Sequence, residues 1–207
     1  MTEHVRGDAD APVTVVEYGD YECPYCAAAA PVLRQLVDES EGRVRLVFRN
    51  FPLADRHPYA LTAALAAEAA GDQGAFWPMH DLLFTKQDRL RDADLRLYAE
   101  HLGLDGERVI GEPAQAYADR VEDDFTAGLA AGVEGTPTLF IDGTRYTGRM
   151  EIGALRRAVG NGGPAGSGGS APGAGRQRRG SLGRRRAQGE AVAQEPQEED
   201  AQEGGGH

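Results

Sequence analysis

Apolar and polar residues in the first 160 positions follow two kinds of spacing. Short apolar runs rich in valine predict β-strands over residues 13–18, 44–48 and 138–141. The last run is followed by an Asp-Gly pair and then by residues 144–147, which predicts a β-hairpin.

Longer segments with apolar residues at helical spacing predict helices over residues 27–39, 60–70, 74–85, 93–102, 114–131 and 151–159. The element order is β-α-β, then several helices, then β-β-α. A small central sheet flanked by helices, with an all-helical insertion over about residues 58–131, is the simplest arrangement for this order. The predicted fold class is therefore α/β.

The composition changes near Gly160, which places the end of the predicted domain at residues 1–160. Thirteen glycines occur in residues 161–207, where Leu182 and Val192 are the only large aliphatic residues. Such a segment buries too little apolar surface to offset its conformational entropy, so we predict a disordered, low-complexity tail rich in Gly, Arg and Glu. A charge-balanced, solvated tail is the simplest interpretation; a tail that binds nucleic acid or a partner, or a kinase site at Ser181, is the alternative.

The net charge of −11 lies entirely in residues 1–160, which hold 27 acidic and 16 basic residues, whereas residues 161–207 hold six of each. An acidic domain argues against nucleic-acid binding. No window approaches the roughly 18 apolar residues of a membrane-spanning helix. The polar residues 1–8 lack the apolar region of a secretory signal, so we expect a cytoplasmic protein.

The two cysteines, Cys23 and Cys26, follow the first predicted strand and begin the first predicted helix. The helix dipole and the free N–H groups of the first turn would stabilise a thiolate on Cys23, and Cys26 is near enough to form a disulfide with it. In a reducing compartment, a lone pair is more often catalytic or metal-binding than structural. Zinc and iron–sulfur sites normally need four ligands, so a metal site here would require a dimer.

Three features accompany the cysteine pair: Glu17 six residues before Cys23, Pro31 five residues after Cys26, and Gly135-Thr136-Pro137-Thr138 before the third strand. With these features, residues from about 5 to 160 resemble the thioredoxin superfamily, and specifically its DsbA-like branch. The segments 16–26, 51–53, 57–58, 75–77 and 80–83 also look like DsbA-like bacterial domains. Similar domains occur fused to sodium/proton antiporters.

The resemblance implies a role for each of these residues. Cys23 is expected to be the exposed nucleophile with a low pKa, and Cys26 the more buried resolving thiol. Glu17 is expected to be buried, with a raised pKa, and to exchange protons with Cys26. Pro137 is expected to follow a cis peptide bond that turns the Thr136 backbone towards the cysteines, where it could pair with an extended substrate. The Thr136 hydroxyl could also hydrogen-bond the Cys23 thiolate.

Residues next to the cysteines complete the predicted site. Pro24 and Tyr25 lie between the cysteines, where we expect them to tune the pair and to contact the substrate. Without the histidine of strongly oxidising DsbA proteins, we expect a less oxidising pair. Tyr21 and Tyr25, together with Tyr18, could form an apolar rim that docks peptides. Two further sets are assigned to structure rather than to function: His57 and His80, and the helical stripe of Phe76, Trp77, Leu82, Leu83 and Phe84.

We therefore predict a thiol–disulfide oxidoreductase that uses Cys23 and Cys26 to exchange disulfides with protein or low-molecular-weight thiols. No bound cofactor is expected, because the dithiol is itself the redox centre, and an unidentified redox partner would reset it. A non-catalytic redox sensor or adaptor, whose disulfide controls partner binding, is the alternative. The sequence leaves the direction of electron flow open.

Overall fold

The computed structural model describes residues 3–160, which contain a five-stranded mixed sheet. The strand order is β1-β3-β2-β4-β5; β2 and β3 are parallel, and the other neighbours are antiparallel. The strands are β1 His4–Arg6, β2 Val13–Gly19, β3 Val44–Asn50, β4 Thr138–Ile141 and β5 Thr144–Tyr146.

Helices pack around this sheet, and every described element between β3 and β4 is helical. This α/β architecture confirms the predicted fold class. The helices are α1 Pro24–Asp38, α2 Ala60–Asp72, α3 Phe76–Thr85, α4 Asp92–His101, a 3₁₀ helix Gly106–Val109, α5 Gly111–Gln115, α6 Ala118–Ala130 and α7 Ile152–Gly160.

Two elements differ from the sequence prediction. Strand β1 was not predicted, because it has only three residues and lacks an apolar run. The Trp77 indole nitrogen donates to the Val5 carbonyl at 2.8 Å, and this hydrogen bond attaches the strand to α3. The single helix predicted over 114–131 is divided into α5 and α6 near Tyr117. The Tyr117 side chain is buried, and its hydroxyl donates to Asp72 at 3.1 Å, which favours a turn at this point.

Side chains of β2 alternate between two covered faces of the sheet. Val13 and Val15 belong to the apolar core that α1 and α7 share. Tyr18 lies on the opposite face, where its ring contacts the edge of Phe51, which in turn stacks on Phe125 of α6. Glu17 lies two residues after Val15 and therefore on the same face of the sheet, so its carboxyl group enters the interior on the α1 side.

The helical insertion has an aromatic core that includes the predicted α3 stripe. Phe76, Leu83 and Phe84 are buried, whereas Trp77 and Leu82 are half-buried. His80 is also buried here; burial lowers its pKa well below the usual value, and its Nδ1 lies 3.2 Å from the Tyr21 hydroxyl. These contacts give His80 the structural role that the sequence predicts.

Within residues 3–160, none of the helices combines the length and apolarity needed to cross a membrane. The tail predicted to be disordered, residues 161–207, lies outside the described residues.

Candidate active site

Cys23 and Cys26 lie at the N-terminus of α1, directly after the end of β2. Cys23 is the N-cap residue and Pro24 occupies the first turn, where the missing N–H of proline costs no helical hydrogen bond. The Cys23 carbonyl accepts from the Cys26 N–H at 3.1 Å. Both cysteines are free thiols, and the side chain of Cys26 is fully buried.

The surroundings of Cys23 stabilise its thiolate. Hydrogen bonding by the Cys26 thiol lowers the pKa of Cys23 most, and the Thr136 side chain and the backbone N–H groups of Cys26 and Tyr25 act in the same direction. Together they outweigh the effect of burial and lower this pKa to about 5. Such a thiol is largely ionised at neutral pH. The low pKa agrees with the sequence prediction for Cys23, whose role as the nucleophile stays a prediction.

Cys23 is much less accessible than the sequence predicts. Only 4% of the residue is exposed, so the expectation of an exposed nucleophile was wrong. The loop that contains Thr136 covers it: the Cys23 thiol donates to the Thr136 carbonyl at 3.4 Å. A substrate sulfur therefore has a narrow approach to Cys23.

The loop before β4 places Thr136 and Pro137 beside the cysteines. The Thr136–Pro137 peptide bond is cis. In this thiol form, it is the Thr136 carbonyl that contacts Cys23. The Thr136 hydroxyl oxygen is buried without a hydrogen-bond partner among the described residues. An unpaired hydroxyl at this position is available to donate to a thiolate.

Glu17 is the buried acid of the site. It lies on β2 between Phe48 of β3 and Leu139 of β4, and none of its surface is exposed. Burial raises its pKa to about 8, and the negative charge of ionised Cys23 acts in the same direction. Neither carboxylate oxygen has a hydrogen-bond partner in the described part of the chain. Glu17 can therefore gain or lose a proton near neutral pH.

Cys26 has the opposite electrostatic character to Cys23. Burial raises its pKa far above the ordinary thiol value, and the hydrogen bond that it donates to Cys23 and the charge of Glu17 raise it further. Cys26 thus holds its proton while Cys23 is ionised. The opposite pKa shifts therefore give the two cysteines different states: Cys23 is ionised and able to attack, and Cys26 stays protonated.

The three tyrosines predicted to form a docking rim lie in different environments. Tyr25 is 73% exposed and Pro24 is also exposed, so both are available to a substrate. Tyr21 is only 1% exposed, and its ring packs against Phe84 at 4.9 Å between ring centres. Tyr18 is buried on the other side of the sheet. The assignment of Tyr21 as a substrate-binding residue was therefore wrong, because its side chain anchors the insertion core.

One contact to the cysteine segment was missed by sequence reasoning. The Gln87 side-chain nitrogen donates to the Tyr21 carbonyl at 2.7 Å and to the Cys23 carbonyl at 2.9 Å. Gln87 belongs to the loop between α3 and α4, so it links the helical insertion to the start of α1. A single glutamine 64 positions from its partner carries no sequence signal of such a role.

Metal binding gains no support from side-chain clusters in residues 3–160. Nowhere in that range do three or more His, Cys, Asp or Glu side chains converge in a way that could hold an ion.

Comparisons with known proteins agree with this geometry. A family model described as thioredoxin matches residues 1–161. Over 158 residues the chain is 52% identical to a Na⁺/H⁺ antiporter NhaA of Salinispora arenicola. The matched region is 76% of this chain and 24% of that protein. An antiporter NhaA of Herminiimonas arsenicoxydans is 43% identical over 150 residues. The chain thus spans about a quarter of the length of these curated relatives.

Solved structures show the same fold. A thioredoxin-like oxidoreductase from Silicibacter pomeroyi is 29% identical with a TM-score of 0.66, covering 77% of this chain and 91% of that chain. The thiol–disulfide exchange protein α-DsbA2 from Wolbachia pipientis is 23% identical with a TM-score of 0.68, covering 78% and 87%. The family match, the shared fold and the paired cysteines at the start of α1 agree with one another, and the chain belongs to the thioredoxin family.

Proposed function

We propose that this protein is a thiol–disulfide oxidoreductase that exchanges disulfides with protein thiols or low-molecular-weight thiols through Cys23 and Cys26. The observation that carries the proposal is the opposite shift of the two thiol pKa values, lowered to about 5 at Cys23 and raised at Cys26. Thiolates attack disulfides and thiols do not, so this difference assigns the first attack to Cys23.

The proposed reaction proceeds through a mixed disulfide. The Cys23 thiolate attacks one sulfur of a substrate disulfide; a bond forms between Cys23 and that sulfur, and the other substrate sulfur leaves as a thiolate. Cys26 then loses its proton to Glu17 and attacks the Cys23 sulfur, which releases the second substrate thiolate. The substrate gains two electrons, and the protein is left with a Cys23–Cys26 disulfide. The same steps in reverse oxidise a substrate dithiol.

Neighbouring residues supply the remaining requirements. The exposed Tyr25 offers an apolar contact, and the Thr136 backbone offers an edge for an extended peptide. The Thr136 hydroxyl would donate to the Cys23 thiolate. No bound cofactor enters these steps, since both electrons reside in the cysteine pair, and a separate redox partner would return the pair to its starting state.

Two substitutions test the assignment of roles. Cys23→Ser should abolish disulfide reduction in an insulin assay, because a hydroxyl does not replace the thiolate. Cys26→Ser should allow the first attack but not the second, so a peptide with one disulfide should remain attached and add its mass to the protein in a mass spectrum. Residual turnover by the Cys23→Ser variant would overturn the nucleophile assignment.

The same assays separate the enzyme from a redox sensor. A sensor would form and break the Cys23–Cys26 disulfide without turning over insulin, and the wild-type protein would then be inactive with every disulfide substrate tested. Repeated turnover by the wild-type protein would contradict the sensor.

A further inference from the structure

The segment that joins β2 to α1 is attached to the loop after β3 through one buried carboxylate. Asp20 follows the last residue of β2, and its side chain has no exposed surface. Its carboxylate accepts three hydrogen bonds: from the Glu22 N–H at 2.7 Å, from the Leu53 N–H at 2.8 Å and from His57 Nδ1 at 2.7 Å. Because a carboxylate oxygen only accepts, the proton of this last bond belongs to His57 Nδ1.

The backbone of Asp20 contacts both cysteines. Its carbonyl accepts from the Cys23 N–H at 3.1 Å. Its own N–H donates towards the Cys26 sulfur, where it works against the rise in the Cys26 pKa. Asp20 thus contacts the loop after β3 through its side chain and the redox pair through its main chain.

The loop after β3 contacts the segment between β2 and α1 a second time. The Tyr59 N–H donates to the Glu22 carboxylate at 2.7 Å, and the His57 N–H donates to the Leu53 carbonyl at 2.9 Å. His57 is the only side chain that donates to Asp20 among the described hydrogen bonds; the other two donors are backbone groups. The His57 ring is therefore the one donor to Asp20 that substitution can remove.

We infer that His57 is a positioning residue for the cysteine pair, acting through the Asp20 carboxylate; the inference rests on the proposed function and deepens it. Without the His57 donor, a buried carboxylate keeps two partners instead of three and must shift or admit water. The turn over residues 20–23 shifts with it. The N–H groups that stabilise the Cys23 thiolate then lose part of their alignment, and the Asp20 charge nearby is less well neutralised. Both effects disfavour the thiolate.

The test is the ionisation of Cys23, followed by thiolate absorbance at 240 nm against pH. His57→Leu removes the donor and should raise the Cys23 pKa by about 1 unit, which corresponds to a tenfold loss of thiolate stabilisation. His57→Asn is the conservative variant, because its side-chain nitrogen is bonded to Cγ as Nδ1 is in histidine, and it should keep the wild-type value. His101→Leu, at an exposed position at the end of α4, is the matched control and should change nothing.

The reduction potential gives a second measurement of the same effect. A less stable thiolate makes the dithiol form less favourable, so the His57→Leu potential should fall. A tenfold change in the equilibrium corresponds to about 30 mV. His57→Asn should again match the wild-type protein.

Each outcome is decisive for the role of His57. Equal Cys23 pKa values in wild type, His57→Leu and His57→Asn would overturn the inference, even if both variants were less stable, because that result describes a purely structural histidine. If His57→Leu does not fold, His57→Gln replaces it. Its nitrogen lies one bond further from the backbone, so the inference requires a shift with His57→Gln and none with His57→Asn.

Failure of the proposed function would look different. The Cys23 titration requires no substrate, so a protein that never turns over insulin can still show the His57 effect. A wild-type Cys23 that titrates at the ordinary thiol value would instead remove the basis of the proposed function.

Discussion

Glu17 is the single residue whose ionisation most affects both chemistry and stability. It is fully buried, its oxygens have no partner among the described residues, and its pKa rises from 4.5 to about 8. A carboxyl group in this position stays protonated in the folded protein at a pH where the unfolded chain has released the proton. Its presence therefore lowers the free energy of unfolding as the pH rises from about 4.5 to 8.

Replacing Glu17 with glutamine should stabilise the protein at neutral and alkaline pH. Glu17→Gln has nearly the same shape but no charge to bury, so its advantage should be small at pH 4 and grow to roughly 5 kcal/mol above pH 8, the limit set by a shift of this size. Urea unfolding of the oxidised protein at several pH values measures the difference, because neither thiol titrates in that form.

The exposed Glu122 of α6 provides the control for this experiment. Glu122→Gln should follow the wild-type stability profile, since an exposed carboxylate keeps its water in both states. A Glu17→Gln profile parallel to wild type at all pH values would show that Glu17 is hydrated in solution. Slower resolution of the mixed disulfide by Glu17→Gln would separately support its role as the proton acceptor of Cys26.

Residue-level chemistry was predictable where one local pattern determines it. The position of Cys23 at the start of a helix predicts a lowered pKa, and the apolar neighbours of Glu17 predict burial. Accessibility was not predictable in the same way: Cys23 is covered by Thr136, 113 positions away, and Tyr21 points into a core made by α3. Such contacts depend on how distant segments meet, which spacing along the chain does not encode.

At the level of elements, α6 lies unusually close to the sheet because of a glycine. A side-chain carbon added to Gly128 would lie 2.6 Å from the Phe51 ring and 3.0 Å from the Tyr18 ring. The absence of a side chain thus allows α6 to contact the aromatic residues of β2 and of the segment after β3. The 51–59 loop that carries His57 begins at this contact.

Gly128→Ala should be destabilising although alanine favours helices. The gain in helix propensity is about 1 kcal/mol, whereas overpacking a filled core typically costs about 1–3 kcal/mol. Gly153→Ala in α7 is the matched control, because its nearest atom is a flexible Arg157 nitrogen at 3.7 Å. We expect the Gly128→Ala free energy of unfolding to be about 2 kcal/mol below that of Gly153→Ala, and equal values would show that α6 can move outward freely.

Elements with long apolar patterns were predicted within a few residues, as for β2, β3 and α2. Strand β1 was missed because its three residues are held by pairing with β3, by a Trp77 hydrogen bond and by the Arg6 ion pair with Asp81, not by an apolar run. The division between α5 and α6 was missed because it depends on the burial of Tyr117 beside Asp72. In both cases tertiary contacts outweigh local propensity.

At the scale of the whole molecule, the open question is the direction in which electrons flow. The strength of thiolate stabilisation links the site to this property, because a more stable Cys23 thiolate favours the dithiol form and makes the protein more oxidising. Thioredoxin, with a thiol pKa of about 7, has a potential of about −270 mV, and DsbA, with about 3.5, has about −120 mV. The Cys23 pKa of about 5 lies between these two proteins.

Interpolation predicts a reduction potential of roughly −185 mV, which thiol alkylation across a graded redox buffer would measure. In a compartment with the cytoplasmic glutathione poise of about −220 to −260 mV, such a pair would be mainly reduced and would donate electrons to substrate disulfides. In a more oxidising compartment the same pair would be a disulfide donor. A value near −120 mV would require thiolate stabilisation beyond that of the Cys26 thiol and the α1 N–H groups. A value near −270 mV would mean that the burial of Cys23 outweighs those donors, so either extreme would contradict the balance of forces assigned to this site.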